Sequence, residues 1–144
     1  MAIHHASPGE RIDIGPLGDI LADAKTGTLF KTDAMEVLQL VLPAGKTVAE
    51  HKAPGEIAVQ CIEGRVQFTS MNQTVELTSG TMLYLPAAEP HWLKAVEDSS
   101  LLVFFSLRRI GIAMPTLEVL AFARIISSAI WRYQNAVNES AETR

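Results

Sequence analysis

Apolar residues fall in short runs along most of this chain, with glycine, proline and asparagine between them. Val37–Leu42 is continuously apolar except at Gln39, and Pro43 and Gly45 end it. Such a run predicts a strand covered on both faces. Further strands are predicted at Val48–Lys52, Glu56–Ile62, Arg65–Ser70, Thr74–Leu77, Met82–Leu85, His91–Val96 and Ser100–Leu107. Pro54-Gly55 and Glu63-Gly64 turn the chain, Met71-Asn72-Gln73 predicts a hairpin, and Pro86 stops a strand. Many short strands at even spacing imply an all-β sandwich or barrel. Leu101–Leu107 is apolar on both parities, so the outer face of that strand needs a cover.

The two ends read differently. Residues 1–34 carry Pro8, Gly9, Gly15, Pro16, Gly18 and Gly27, and predict an arm with short strands around Arg11–Ile14 and Thr28–Thr32. After the strands, residues 115–138 predict one α-helix. Thr116 suits its N-cap, and Glu118 lies in the first turn. Leu117, Leu120, Ala121, Ile125, Ala129, Tyr133 and Val137 form one stripe. Val119, Phe122, Ile126, Ile130 and Trp131 make it apolar beyond that stripe, which leads us to expect a homodimer. Glu118, Arg124 and Arg132 interrupt the helix too often for a membrane span.

With 144 residues the chain suits a single domain, residues 1–144. Hydrophobic residues are 48% and charged residues 19%, a globular balance. The net charge of −4 comes without a basic tract, which argues against nucleic-acid binding. Cys61 is the only cysteine, so no intramolecular disulfide can form. The first residues lack the basic start and apolar run of a signal peptide, and a cytoplasmic location is expected.

The chemistry concentrates between Gly45 and Ala95. One stretch runs from Gly45 through His51, Ala53 and Ile57 to Gly64. A second runs from Gly80 through Pro86, Ala88 and His91 to Ala95. These stretches resemble the two motifs of the cupin superfamily over about residues 35–107. The resemblance implies a jelly-roll barrel, a double-stranded β-helix of the RmlC-like kind. It also implies a metal held by His-x-His and a Glu from the first motif and a His from the second. Here His51 and His91 stand at ligand positions, while Ala53 and Ile57 occupy the other two. Ala88 replaces the glycine usual in the second motif, and Ala95 the asparagine. The turn residues Gly45, Gly64, Gly80 and Pro86 are kept.

Residues two apart on a strand share a face, so His51 and position 53 would both point inward. A methyl group and a branched hydrocarbon ligate nothing. Glu56, Glu89, Gln60, His4 and His5 are the residues that could stand in, whereas Cys61 shares parity with Ile57 but lies about 13 Å further along the strand, too far to replace it. Two imidazoles alone make a weak site, so no resident cofactor is expected beyond a weakly bound divalent transition metal. The expected function is therefore small-molecule binding in the barrel cavity, with His51, His91, Glu56, Gln60 and Tyr84 as pocket candidates. One alternative is a cupin enzyme. It would depend either on metal through His51, His91 and a substitute ligand, or on metal-free acid–base chemistry like that of the sugar 3,5-epimerases, with Tyr84 as acid. A second alternative is a non-catalytic oligomerisation module.

Overall fold

A computed structural model describes residues 4–109 and 112–113. The predicted helix at 115–138 lies outside the described residues. Two antiparallel sheets make the body. One has the order β1-β2-β9-β4-β7 and the other β3-β8-β5-β6. The strands are β1 (Gly27–Lys31), β2 (Met35–Leu42), β3 (Thr47–His51), β4 (Ile57–Glu63), β5 (Arg65–Ser70), β6 (Gln73–Thr78), β7 (Met82–Leu85), β8 (His91–Ala95) and β9 (Ser99–Ser106). A short pair that the sequence pattern does not announce follows, β10 (Arg108–Arg109) and β11 (Ile112–Ala113). This is the expected all-β jelly roll, with strand ends close to their predicted places.

The core lies between the sheets. Val59, Cys61, Leu101, Val103 and Phe105 of the five-stranded sheet face Val66, Phe68, Leu93 and Ala95 of the other, and all are buried. Alternation along β8 is strict, with His91, Leu93 and Ala95 buried and Lys94 exposed. Met71 and Asn72, at φ 50 and 60, make a two-residue turn of the mirror-image type that matches strand twist. Gln73 therefore opens β6 instead of sitting in the loop.

The N-terminal arm carries the strand expected around Thr28–Thr32, as β1, and departs from expectation before it. Arg11–Ile14 forms no strand, and a short 3-10 helix spans Gly18–Asp23. The arm is fastened along one row of the five-stranded sheet. Val41, Ser100 and Glu63 are cross-strand partners there. Thr26 Oγ1 accepts from Val41 N at 2.8 Å. Leu17 is helical at φ −77, ψ −23 and Gly18 is left-handed at φ 56. That pair of conformations points successive N–H groups at one anion. The anion is the Glu63 carboxylate, at 2.7 Å from Leu17 N and 3.1 Å from Gly18 N. Ser100 Oγ donates to it as well, at 2.9 Å. Burial alone would raise the Glu63 carboxyl, but these three hydrogen bonds outweigh it and hold the group below its ordinary value.

Two positive-φ positions make a paired test. Gly64 sits at φ 86, and a Cβ there would run into Ser99 Oγ and the Asp98 carbonyl. Ala88 sits at φ 63, a conformation that L-residues adopt at a cost of about 1 kcal/mol. Gly64→Ala should destabilise by roughly 2–3 kcal/mol. Ala88→Gly should stabilise by up to about 1 kcal/mol. Urea unfolding of both variants measures this, and a neutral Gly64→Ala would contradict the tight turn between β4 and β5.

Candidate functional site: an imidazole pair at the barrel mouth

His51 reaches the inner face through an irregularity in its strand. Thr47 pairs with Lys94 and Val48 with Leu93, but the next pair is His51 with His91. Ala49 and Glu50 together oppose Trp92, so β3 carries a β-bulge. In unbroken register Glu50 would face His91. The extra residue turns Glu50 outward, where it is exposed, and brings His51 inward. The two imidazole centroids then lie 4.2 Å apart, with rings inclined at 63°. Phe68 stacks on the other side of His91, at 5.5 Å and 12°.

Each ring is tethered the same way. His51 Nδ1 lies 2.8 Å from the Ala49 carbonyl, and His91 Nδ1 lies 2.9 Å from the Glu89 carbonyl. A carbonyl oxygen can only accept, so Nδ1 carries the proton in both neutral rings. Both Nε2 atoms are left as lone-pair acceptors. Two such atoms cannot bond to each other. His91 is 4% exposed, and Arg65 Nε is the one buried side-chain polar atom without a partner among the described residues. The Nε2 of His91 therefore keeps a trace of solvent contact. Burial pushes the His91 pKa down, the Glu89 carbonyl opposes this, and His51 lowers it further.

The other candidates fall in different places. Ala53 and Ile57 are buried, and the Ala53 carbonyl accepts from Ala88 N at 2.8 Å. Ile57 pairs with Leu85 and both face the core, so the intervening parity puts Ala58, Gln60 and Tyr84 on the outer face. Tyr84 is 79% exposed. Glu56 is exposed and lines a surface concavity with Met35, Ala58, Tyr84 and Phe104, away from the imidazoles. Gln60 is half-buried beside Leu102 and Met82. Cys61 is enclosed in the core, and burial raises its thiol pKa. His4 is held by Glu10 on the surface at 2.9 Å. Glu89 serves His91 through its backbone. Among the described residues no three His, Cys, Asp or Glu side chains come together to hold a metal. The residues present therefore do not fit the four-ligand cupin metal site.

Two polar neighbours went unnoticed in the sequence. Ser70 is the cross-strand partner of His91, and Gln73 is the partner of Ser70. With His51 they form one row across all four strands of the sheet, on its inner face. The only advance signal was the hairpin, whose turn had to be placed to the residue to fix that register.

The buried imidazole makes stability depend on pH. An unfolded histidine takes up its proton near pH 6.5, and folded His91 does so at lower pH. Below about 6.5 the unfolded chain binds more protons, so the contribution of His91 is present above that value and is lost as pH falls. Urea midpoints between pH 8 and pH 5 should fall more steeply for wild type than for His91→Gln. Parallel profiles would contradict a buried, neutral His91.

The sequence matches the cupin domain family over residues 38–107. No curated protein matches it. Among solved structures, a cupin superfamily protein from Desulfitobacterium hafniense is similar at TM-score 0.56 and 16% identity, covering 67% of this chain and 98% of that one. A conserved protein of unknown function from Streptococcus pyogenes is similar at TM-score 0.58 and 21% identity, covering 76% and 99%. A DMSP lyase from Ruegeria pomeroyi is similar at TM-score 0.54 and 20% identity, covering 72% and 57%. Identities this low speak for the fold alone. The two motifs, the sheet order and the domain match converge: residues 38–107 of this chain are a cupin domain.

Proposed function

We propose that the barrel mouth is a binding site for a small molecule, held by the Nε2 atoms of His51 and His91, and that it works without a complete metal centre. The observation that carries this reading is the double tether. Both rings are fixed by a carbonyl two residues upstream, so both acceptors are set in place by the protein itself. Orientation fixed before binding reduces the entropy lost on binding. Phe68 supplies an apolar wall beside His91.

The enzyme readings have less support. A metal-dependent reaction needs a third and fourth ligand, and Glu56 and Glu89 do not gather around the pair. A metal-free acid–base reaction needs an acid opposite the imidazole base. Tyr84, the candidate for that role, is on the outer face. The oligomerisation reading requires a mouth filled by side chains, whereas His51 is only half-buried.

Two measurements test the proposal. A mixed set of polar fragments, followed by NMR, should shift the ring signals of His51 and His91 before those of Tyr84. A set that leaves both rings unmoved would defeat it. The metal question is separate. Zinc should raise the wild-type melting temperature little. Ala53→His with Ile57→Glu should lose roughly 3 kcal/mol without metal, because a carboxylate replaces a buried isoleucine. Added zinc should restore that loss by binding only the folded site. An equal zinc response in wild type would show that a working metal site already exists.

A further inference from the structure

The imidazole pair alone leaves the chemistry of the ligand open, and the inner face of the four-stranded sheet narrows it. His51, His91, Ser70 and Gln73 are successive cross-strand partners on β3, β8, β5 and β6. Directly opposed residues in an antiparallel sheet share a face, with Cβ atoms about 5 Å apart. The row therefore presents two imidazole acceptors, one hydroxyl and one primary amide in line. Among the described residues no hydrogen bond engages the side chains of Ser70 and Gln73.

The row also lies where the barrel opens. One step deeper on the same face, Phe68 is wholly buried and Leu93 nearly so, while Val75 on the edge strand is already 38% exposed. At the row itself His51 and Ser70 are half-buried and Gln73 is exposed. The surface is thus a polar shelf above an apolar floor, reachable from solvent.

The charge on the shelf is informative. No Lys or Arg stands in the row, and Lys94, the nearest cation along β8, points to the opposite face. While both imidazoles are neutral, an acceptor pair facing a carboxylate opposes lone pairs to lone pairs, with no cation in the row to offset the cost. A hydroxyl suits every position. It donates to each Nε2, and it both donates to and accepts from Ser70 and Gln73.

We propose that this mouth binds a neutral, polyhydroxylated molecule laid across the strands, with Ser70 and Gln73 as specificity-determining residues beside His51 and His91. The proposal rests on the pocket reading above. It adds the ligand class and two residues which that reading does not need.

Mannitol and adipate make a matched pair of probes, each a linear chain of six carbons, one neutral and hydroxylated, the other a dicarboxylate. NMR titrations at pH 7.5 should show mannitol shifting the ring signals of His51 and His91 together with the backbone amides of Ser70 and Gln73. Adipate should leave them in place. Ser70→Ala and Gln73→Ala should each weaken mannitol about five- to tenfold, the effect of one lost hydrogen bond. Val75→Ala, on the same face but apolar, serves as the folding control and should change affinity less. If fragments move the imidazoles but mannitol does not, the pocket stands and the ligand class is wrong. The ligand class is equally wrong if adipate binds as well as mannitol. If mannitol binds and neither Ser70→Ala nor Gln73→Ala weakens it, the row is not the recognition element. If no fragment reaches the imidazoles at all, the pocket itself has failed.

Discussion

The barrel depends on β9 being buried on both faces at the centre of its sheet. This strand pairs along its whole length with β2 and over most of it with β4. Leu101, Val103 and Phe105 face the core, and Leu102, on the opposite parity, is 1% exposed. Each such side chain contributes on the order of 2 kcal/mol when withdrawn from water. A strand apolar on both parities needs cover on its outer face as well as its inner one. Val37 and Val41 share that outer face with Leu102 and are also buried, at 2% and 5% exposure. The Glu63 carboxylate ties the arm down along the same end of the sheet. The carboxylate, the Gly18 conformation and the hydroxyl of Ser100 thus belong to one device that keeps the arm in place.

The fold was legible because its signals are local. Runs such as Val37–Leu42, and breakers such as Gly45, Gly64, Gly80 and Pro86, mark strands and turns without knowledge of their partners. The site was legible only as far as motif spacing reached, to His51 and His91. What was hidden depends on pairing. Nothing in Thr47-Val-Ala-Glu-His51 marks a bulge. No glycine is present, and simple alternation from Val48 would send Glu50 inward. Met82-Leu-Tyr-Leu85 gives no polar contrast from which to choose a face, and only the pairing of Leu85 with Ile57 assigns Tyr84 to the outside. Ser70 and Gln73 look like ordinary hairpin polar residues until the register across β8, β5 and β6 is known. The strand expected at Arg11–Ile14 is missing for a different reason. A 3-10 turn closed around a carboxylate 45 residues away has no local signature.

Ala88 shows the limit of reading function from a lost motif residue. The motif glycine is absent, yet the backbone still takes the left-handed turn at φ 63. Its N–H bonds to the Ala53 carbonyl, joining the loop before β8 to the end of β3. That bond ties together the two segments that deliver His51 and His91. The backbone role of the motif is therefore separable from glycine itself, at the modest cost of a strained alanine.

The same separation applies to the imidazoles. In a metal site, ring orientation is shared between the ion and a carbonyl or carboxylate behind each ring. Here the Ala49 and Glu89 carbonyls take that rear position, each two residues upstream on the ring's own chain segment. Neither tether passes through position 53 or 57. An alanine and an isoleucine at those positions therefore leave both tethers in place. Under the proposed reading, what is left is an oriented acceptor pair with Phe68 stacked beside His91. Such a pair has different uses from a metal centre: it can hold a donor group or take up a proton, but it has no fixed positive charge to polarise a bound oxygen.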